Sequence, residues 1–269
     1  HFGLSLNFSR LQRLRPGYGY SVLPDATEND AIPDYDGIWR IDMASGEEKL
    51  LFSIRDIAAI LKQDCNPDEQ HYFNHILFNV TGDRFMFFHV RQLADDSRKI
   101  YMLTSDIEGE NIYILNDSGH SSHYTWRDDS RILCYSTVIR KGVGYYIYKD
   151  QTEITWRLGN NVLCEDGHPS YLPGGRFMLT DTYPDKYGEQ TLLLYDCDNE
   201  ELTTLDKEYS PVRFDAETRC DLHPRLSRTG RYVCIDCIMN NKRVMKLFDI
   251  SSLFNTHMAL NNLIPKEKT

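Results

Sequence analysis

Four stretches of the chain open alike on a histidine. They read NHILFNVTGDRFMFFH from Asn74, SHYTWRDDSRILCYS from Ser122, GHPSYLPGGRFMLTD from Gly167 and LHPRLSRTGRYVCID from Leu222. The histidines are His75, His123, His168 and His223, spaced 48, 45 and 55 residues apart. Seven residues after each comes a small turn residue, Gly82, Ser130, Gly175 or Gly230, and then an apolar strand-like run. The last two stretches also carry an acidic residue two positions before a His-Pro pair. After each opening come further strand-like runs, such as IYMLTSD, YYIYKD, TLLLYDCD and KLFDIS. Most repeats then add a weaker run: NIYILND, ITWRL or ELTTL.

Short strands, turns rich in Gly, Asp and Ser, and a period of about 45 residues predict an all-β fold, a β-propeller of four-stranded blades. A β-helix has a much shorter period. A helical solenoid needs 3.6-residue periodicity, which is clear only in IRDIAAILKQ (residues 54–63) and to a lesser degree after Ser251. The spacing predicts one propeller domain over 1–269, with blades at 1–55 (partial), 70–118, 120–160, 165–206 and 220–252, and a tail at 253–269. In the partial blade, GIWRIDMASGEEKLLFSI fits the third and fourth strands, with FGLSLNF and YGYSVL as earlier ones. Two readings stay open. The chain is a piece of a six- or seven-bladed ring lacking upstream blades, or it closes as five blades.

The His-Pro and Gly-Arg pattern resembles the TolB-type propeller repeat over residues 70–250, with degenerate turns LPGGR, RTGR, VTGDR and RDDSR. A histidine heading every visible repeat resembles the polysaccharide-lyase propellers, namely the oligogalacturonate lyases and more loosely the ulvan lyases. That resemblance implies β-elimination on uronic-acid-containing glycans, at a histidine-lined site on the propeller axis that holds a metal. The oligogalacturonate lyase metal motif has an amide three residues before a histidine and a second histidine two after. The matching stretch is Cys220-Asp-Leu-His223-Pro-Arg225, so His223 fits while Cys220 and Arg225 depart from the pattern. Tyr124 and Arg140 match the spacing of the ulvan lyase catalytic Tyr and Arg.

In a propeller the innermost strand of each blade lines the central channel, so the four histidines are expected to converge. Elimination next to a uronate must remove a weakly acidic proton α to a carboxylate. It needs a base, an acid for the leaving oxygen, and positive charge against the enolate. The acid–base candidates are His75, His89, His123 and Tyr124, with Arg140 as a catalytic clamp. Arg225 is expected to bind the substrate carboxylate, since guanidinium pairs bidentately. Tyr183, in the DTYPDKYG loop, is expected to stack on sugar. The metal candidates are His168, His223, Cys220 and Asp166, with Cys164 as an alternative fourth ligand. A divalent metal is expected: mixed Cys/His ligation favours zinc, and a set without Cys leaves manganese open. Each residue also has a plain alternative. Repeat histidines can bond a neighbouring blade's backbone, Cys220 can be a buried thiol, His89 and Tyr124 can be packing residues, and Arg140 can be a solvated charge.

The net charge of −10 argues against a nucleic-acid partner but not against an acidic oligosaccharide, because a pocket can be basic inside an acidic protein. No apolar run has the length of a bilayer span, so no membrane partner is expected. The chain opens on His1 at a strand-like run, which leaves room for a lost leader and for a periplasmic or secreted location. Seven cysteines, an odd number, favour a reducing, cytoplasmic compartment. Cys234 and Cys237 form a CxxC by spacing, but in a strand their side chains point to opposite faces. RPGYGY (residues 15–20) is Gly-rich but lacks the residues of a phosphate loop.

Overall fold

Each histidine-headed repeat folds as one meandering sheet. The computed structural model describes residues 1–63, 66 and 68–254. The first sheet joins β1 (Phe2–Ser5), β2 (Gly37–Asp42) and β3 (Glu48–Ser53). The second joins β4 (Gln70–Phe78), β5 (Arg84–Gln92), β6 (Arg98–Asp106) and β7 (Tyr113–Asn116). The third comprises β8 (Ser121–Trp126), β9 (Arg131–Val138), β10 (Gly142–Lys149) and β11 (Thr155–Arg157). The fourth comprises β12 (Ser170–Tyr171), β13 (Phe177–Asp181), β14 (Glu189–Asp196) and β15 (Glu201–Tyr209). The fifth has β16 (Arg225–Leu226), β17 (Tyr232–Met239) and β18 (Lys242–Asp249). In every sheet, strands adjacent in sequence are adjacent in space, so the pairing stays local.

Among the described residues three short α-helices accompany the sheets: α1 (Phe8–Leu14), α2 (Ile54–Ile60) and α3 (Ser251–Phe254). The periodic stretch at 54–63 forms α2. Ser53 and Asp56 cap it reciprocally, and it buries Ile54, Ile57 and Ala58. No helix among the described residues is long and apolar enough to cross a membrane. Residues 255–269, most of the expected tail, lie outside the described residues.

The chain divides into two compact units: residues 1–121 with 137–142 and 148–154, and residues 122–136 with 143–147 and 155–269. In the first, Phe52, Phe73, Phe85 and Phe87 pack ring against ring, with Phe52 and Phe87 centroids 5.0 Å apart. In the second, the two-residue side-chain period of a strand lets the fourth sheet bury both faces. Met178 and Tyr195 join Leu133, Tyr145 and Ile147 on one side, while Leu179 and Leu194 join Val233, Ile235 and Cys237 on the other. Burying each such side chain contributes about 2 kcal/mol. Gly175 and Gly230 adopt φ of +69° and +70° at their hairpin turns, which an L side chain resists. At the equivalent place Ser130 donates its N–H to Asp128 Oδ1 at 2.9 Å.

One expected strand does not form. YGYSVL lies in a stretch of turns between α1 and β2 that wraps the buried Arg10. The Arg10 guanidinium donates to the carbonyls of Thr27, Asp30, Ala31 and His71. These carbonyls are satisfied by one side chain instead of a strand ladder.

Candidate functional site: a cluster of three histidines

The second unit brings His123, His168 and His223 together. Ring centroids are 4.1 Å apart for His123 and His168, and 3.5 Å for His168 and His223. His123 sits on β8, while His168 and His223 occupy the approaches to β12 and β16. Tyr183, just past β13, closes the cluster, with its ring 5.6 Å from His168 and 6.0 Å from His123.

Asp181, the last residue of β13, organises the centre. It is 1% exposed and accepts the His168 backbone N–H at 2.6 Å and the His223 backbone N–H at 2.9 Å. His168 Nδ1 lies 2.9 Å from both Asp181 oxygens. A carboxylate only accepts, so Nδ1 carries the proton and Nε2 keeps its lone pair. Burial alone would raise the Asp181 pKa, but the bonds from His168 and His223 outweigh it and hold the carboxyl below its usual range. The chain passes close by: a Cβ on Gly167 would fall 1.9 Å from the Asp181 carbonyl oxygen. His223 adopts φ +45°, a conformation that costs roughly 1 kcal/mol or more in a non-glycine residue. The residue is exposed, yet desolvation by the protein around it, with His168 beside it, lowers its pKa to about 4.

A second carboxylate serves His123. Asp166 Oδ1 accepts from His123 Nδ1 at 3.1 Å, and its Oδ2 accepts from Ser122 Oγ at 2.6 Å. His123 Nε2 is then left facing the Tyr183 hydroxyl at 3.4 Å. Arg219 lies over the Tyr183 ring at 5.0 Å and donates to Asp221 Oδ2 at 2.8 Å.

His168, Asp221 and His223 offer ligand atoms that all lie within 4.8 Å of one another. Asp221 Oδ1 is buried without a hydrogen-bond partner, and His168 Nε2 is the nitrogen that Asp181 leaves open. Two imidazoles and a carboxylate, one imidazole backed by a second carboxylate, can hold a divalent cation.

The geometry revises several expectations. Cys220 is 4% exposed with its thiol pKa raised by burial, and it stays outside the ligand-capable group. That removes the thiolate on which the preference for zinc rested. Asp166 turns to His123, and Asp221 stands in the group instead. Cys164 is exposed and lines a cleft of about 300 Å³ with Glu165, Thr180 and Asp181. His89 is fully buried and shares a 2.9 Å hydrogen bond with His71, so no substrate reaches it. Tyr124 neighbours His123 on β8, and successive strand residues face opposite ways. Burial pushes its pKa far up, which unsuits it as a base. Arg140 is exposed in the β9–β10 turn at φ +68°. Arg225 is exposed on β16, 3.9 Å from Asp236. His75 belongs to the first unit. It is the extra residue of a bulge in β4 at φ +53°, 5.6 Å from the Phe88 ring.

Sequence reasoning missed Asp181, Asp221, Ser122 and Arg219. A signal for the acids was present. Asp166 and Asp221 both stand two residues before a repeat histidine, and Asp181 and Asp236 both stand thirteen after. In each case the acid before the histidine lies against the histidine of the previous repeat.

No protein-family model matches the sequence, and no curated protein matches it. Among solved structures the chain is similar to TolB from Acinetobacter baumannii, at 12% identity over 79% of this chain and 45% of that one, with a TM-score of 0.53. That likeness shows the fold: a TolB-type β-propeller. The chain spans 45% of the TolB length. It is also similar to an oligogalacturonate lyase in complex with manganese, at 10% identity over 79% of this chain and 71% of that one, with a TM-score of 0.48. A post-proline cleaving enzyme from Rickettsia typhi matches at 10% identity over 88% of this chain and 46% of that one, with a TM-score of 0.45.

Proposed function

We propose that the chain is a polysaccharide lyase that cleaves uronic-acid-containing glycans by β-elimination at the histidine cluster. The observation that carries this reading is the group of His168, His223 and Asp221. One imidazole is fixed by a buried carboxylate, and one Asp221 oxygen is buried and unbonded. His168 Nε2, a His223 nitrogen and Asp221 Oδ1 would hold a divalent cation. Its donor set of two imidazole nitrogens and a carboxylate oxygen accommodates manganese without selecting it over other divalent ions. When bound, the cation supplies positive charge against the substrate carboxylate.

The remaining steps fall to the chain. Asp166 fixes the His123 proton on Nδ1, so Nε2 is the basic nitrogen, and it faces the Tyr183 hydroxyl. His123 and Tyr183 together form the acid–base pair. One removes the proton α to the carboxylate, and the other protonates the departing glycosidic oxygen. Arg219, held over Tyr183, binds the carboxylate of the reacting or neighbouring sugar, with the exposed Arg225 further along.

The test is to load the purified chain with manganese, offer it a panel of uronate-containing glycans and follow the ultraviolet absorbance of the unsaturated product. Product is expected from the loaded chain and not from the His168→Ala/His223→Ala variant. Glycan binding without product across the panel would overturn the lyase and leave a non-catalytic propeller that binds a glycan or protein partner.

A further inference from the structure

The two loops that build the histidine cluster also build the cleft beside it. The loop from β11 to β12 carries Asp166 and His168 to the cluster, and just before them it carries Cys164 and Glu165 to the cleft. The loop from β13 to β14 carries Tyr183 to the cluster, and it carries Thr182 and Asp185 to the cleft. Both loops lie at the same end of the fourth sheet, because β12 and β13 pair antiparallel. Asp181 serves both places: its carboxylate holds His168, and the residue lines the cleft.

Bonds across the loops hold the cleft in shape. The Tyr135 hydroxyl donates to the Cys164 carbonyl at 3.3 Å. Thr191 donates its N–H to Thr182 Oγ1 at 3.0 Å, and Thr182 donates its own to the Thr191 carbonyl at 3.1 Å. The volume of about 300 Å³ is at the lower end for small-ligand sites and suits a single sugar ring.

The lining sorts by chemistry. Leu163, Leu193 and Leu202 supply apolar surface. Glu165, Asp185 and Glu189, all exposed, supply carboxylates. Asp185 accepts the backbone N–H groups of Tyr187 and Glu189 at 2.8 and 2.9 Å, and Glu189 pairs with Lys207. Among the described residues no lysine or arginine lines the cleft. Arg219, by contrast, lies over the Tyr183 ring at the cluster. A uronate seated in the cleft would set its charge among like charges. A sugar bearing only hydroxyls would meet acceptors for its O–H groups and leucines for its C–H face.

We infer that the cleft is the subsite for a sugar next to the reacting uronate, and that it takes a neutral sugar. The substrate is then a mixed glycan of uronate and neutral residues, not a chain of uronates alone. The place of the uronate rests on the lyase reading, whereas the neutral preference rests on the lining of the cleft.

The experiment is calorimetric titration of the manganese-loaded full chain with a hexose–uronate–hexose trisaccharide and with a triuronate, while the absorbance of unsaturated product is followed in parallel. The mixed trisaccharide is expected to bind about tenfold more tightly. Glu165→Lys, which puts a cation on the exposed rim, should erase or reverse that preference. Glu189→Gln, which frees Lys207 from its partner, should narrow it, and this variant keeps the test open if Glu165→Lys does not fold. No binding of the mixed trisaccharide, equal or tighter binding of the triuronate, or a preference that neither variant moves overturns the subsite. A preference for the mixed trisaccharide without unsaturated product overturns the lyase reading and leaves the subsite standing.

Discussion

Asp181 ties two blades together through one carboxylate. Its oxygens take N–H groups from His168 and His223, 13 and 42 residues away. Asparagine keeps the shape but removes the charge and turns an N–H₂ toward donors. Asp181→Asn is therefore expected to lower cation affinity roughly 10- to 100-fold, as loss of a histidine-orienting carboxylate does. Titration with manganese checks this, and an unchanged affinity would separate Asp181 from the site. Cys220 gives the opposite expectation. It is buried away from the ligand-capable group, so Cys220→Ala should cost about 1 kcal/mol in urea unfolding while bound metal stays constant. At this scale the sequence marked four repeat histidines by their fixed place in each repeat, and the structure groups three of them, His123, His168 and His223. It did not reveal which acid serves which histidine, because Asp166 reaches back 43 residues to His123.

Within the second sheet, β4 and β5 hold a buried histidine pair, His71 and His89, joined at 2.9 Å. Burial comes first in lowering both pKa values, with Arg91 adding to it. His71 falls to about 4 despite Glu69, and His89 lies well below the usual histidine value. Arg10, bonded to the His71 carbonyl, works in the same direction. Unfolded histidine titrates near 6.5, so both states are neutral above that pH. Below it the unfolded chain takes up protons that the folded one refuses. Stability should thus fall as pH drops from about 6.5 to about 4, by ~3 kcal/mol for His71 alone, and go on falling below that as the carboxylates with lowered pKa values protonate and the folded His89 still refuses its proton. Urea unfolding at a series of pH values reads this directly. His71→Leu should flatten the slope, and an equal slope in the variant would remove His71 as its source. The strands of this sheet were legible as apolar, aromatic runs bounded by turn residues. The role of His89 was not, because a histidine ending an apolar run reads the same whether it faces a channel or a core.

For the molecule as a whole, the charge of −10 sets long-range behaviour. An acidic oligosaccharide, the proposed substrate, would approach against repulsion, with arginines acting only over the last few ångströms. Raising ionic strength from low to physiological values shortens the screening length to about 8 Å and should speed association. Stopped-flow measurement checks the sign, and slower association with added salt would mean that the local arginines dominate the approach. The sequence by itself determined the repeat, the sheet order within each repeat and the places of the histidines. Those depend on a local period of alternating side chains and on turn chemistry a few residues long, both written contiguously. Only the tertiary structure decided that Asp221 and not Cys220 joins His168 and His223, and that Asp166 turns to His123. It also decided that the loop holding RPGYGY folds around Arg10. Each depends on which side chains of separate segments meet, and spacing along the chain carries no record of that once the backbone leaves the strand.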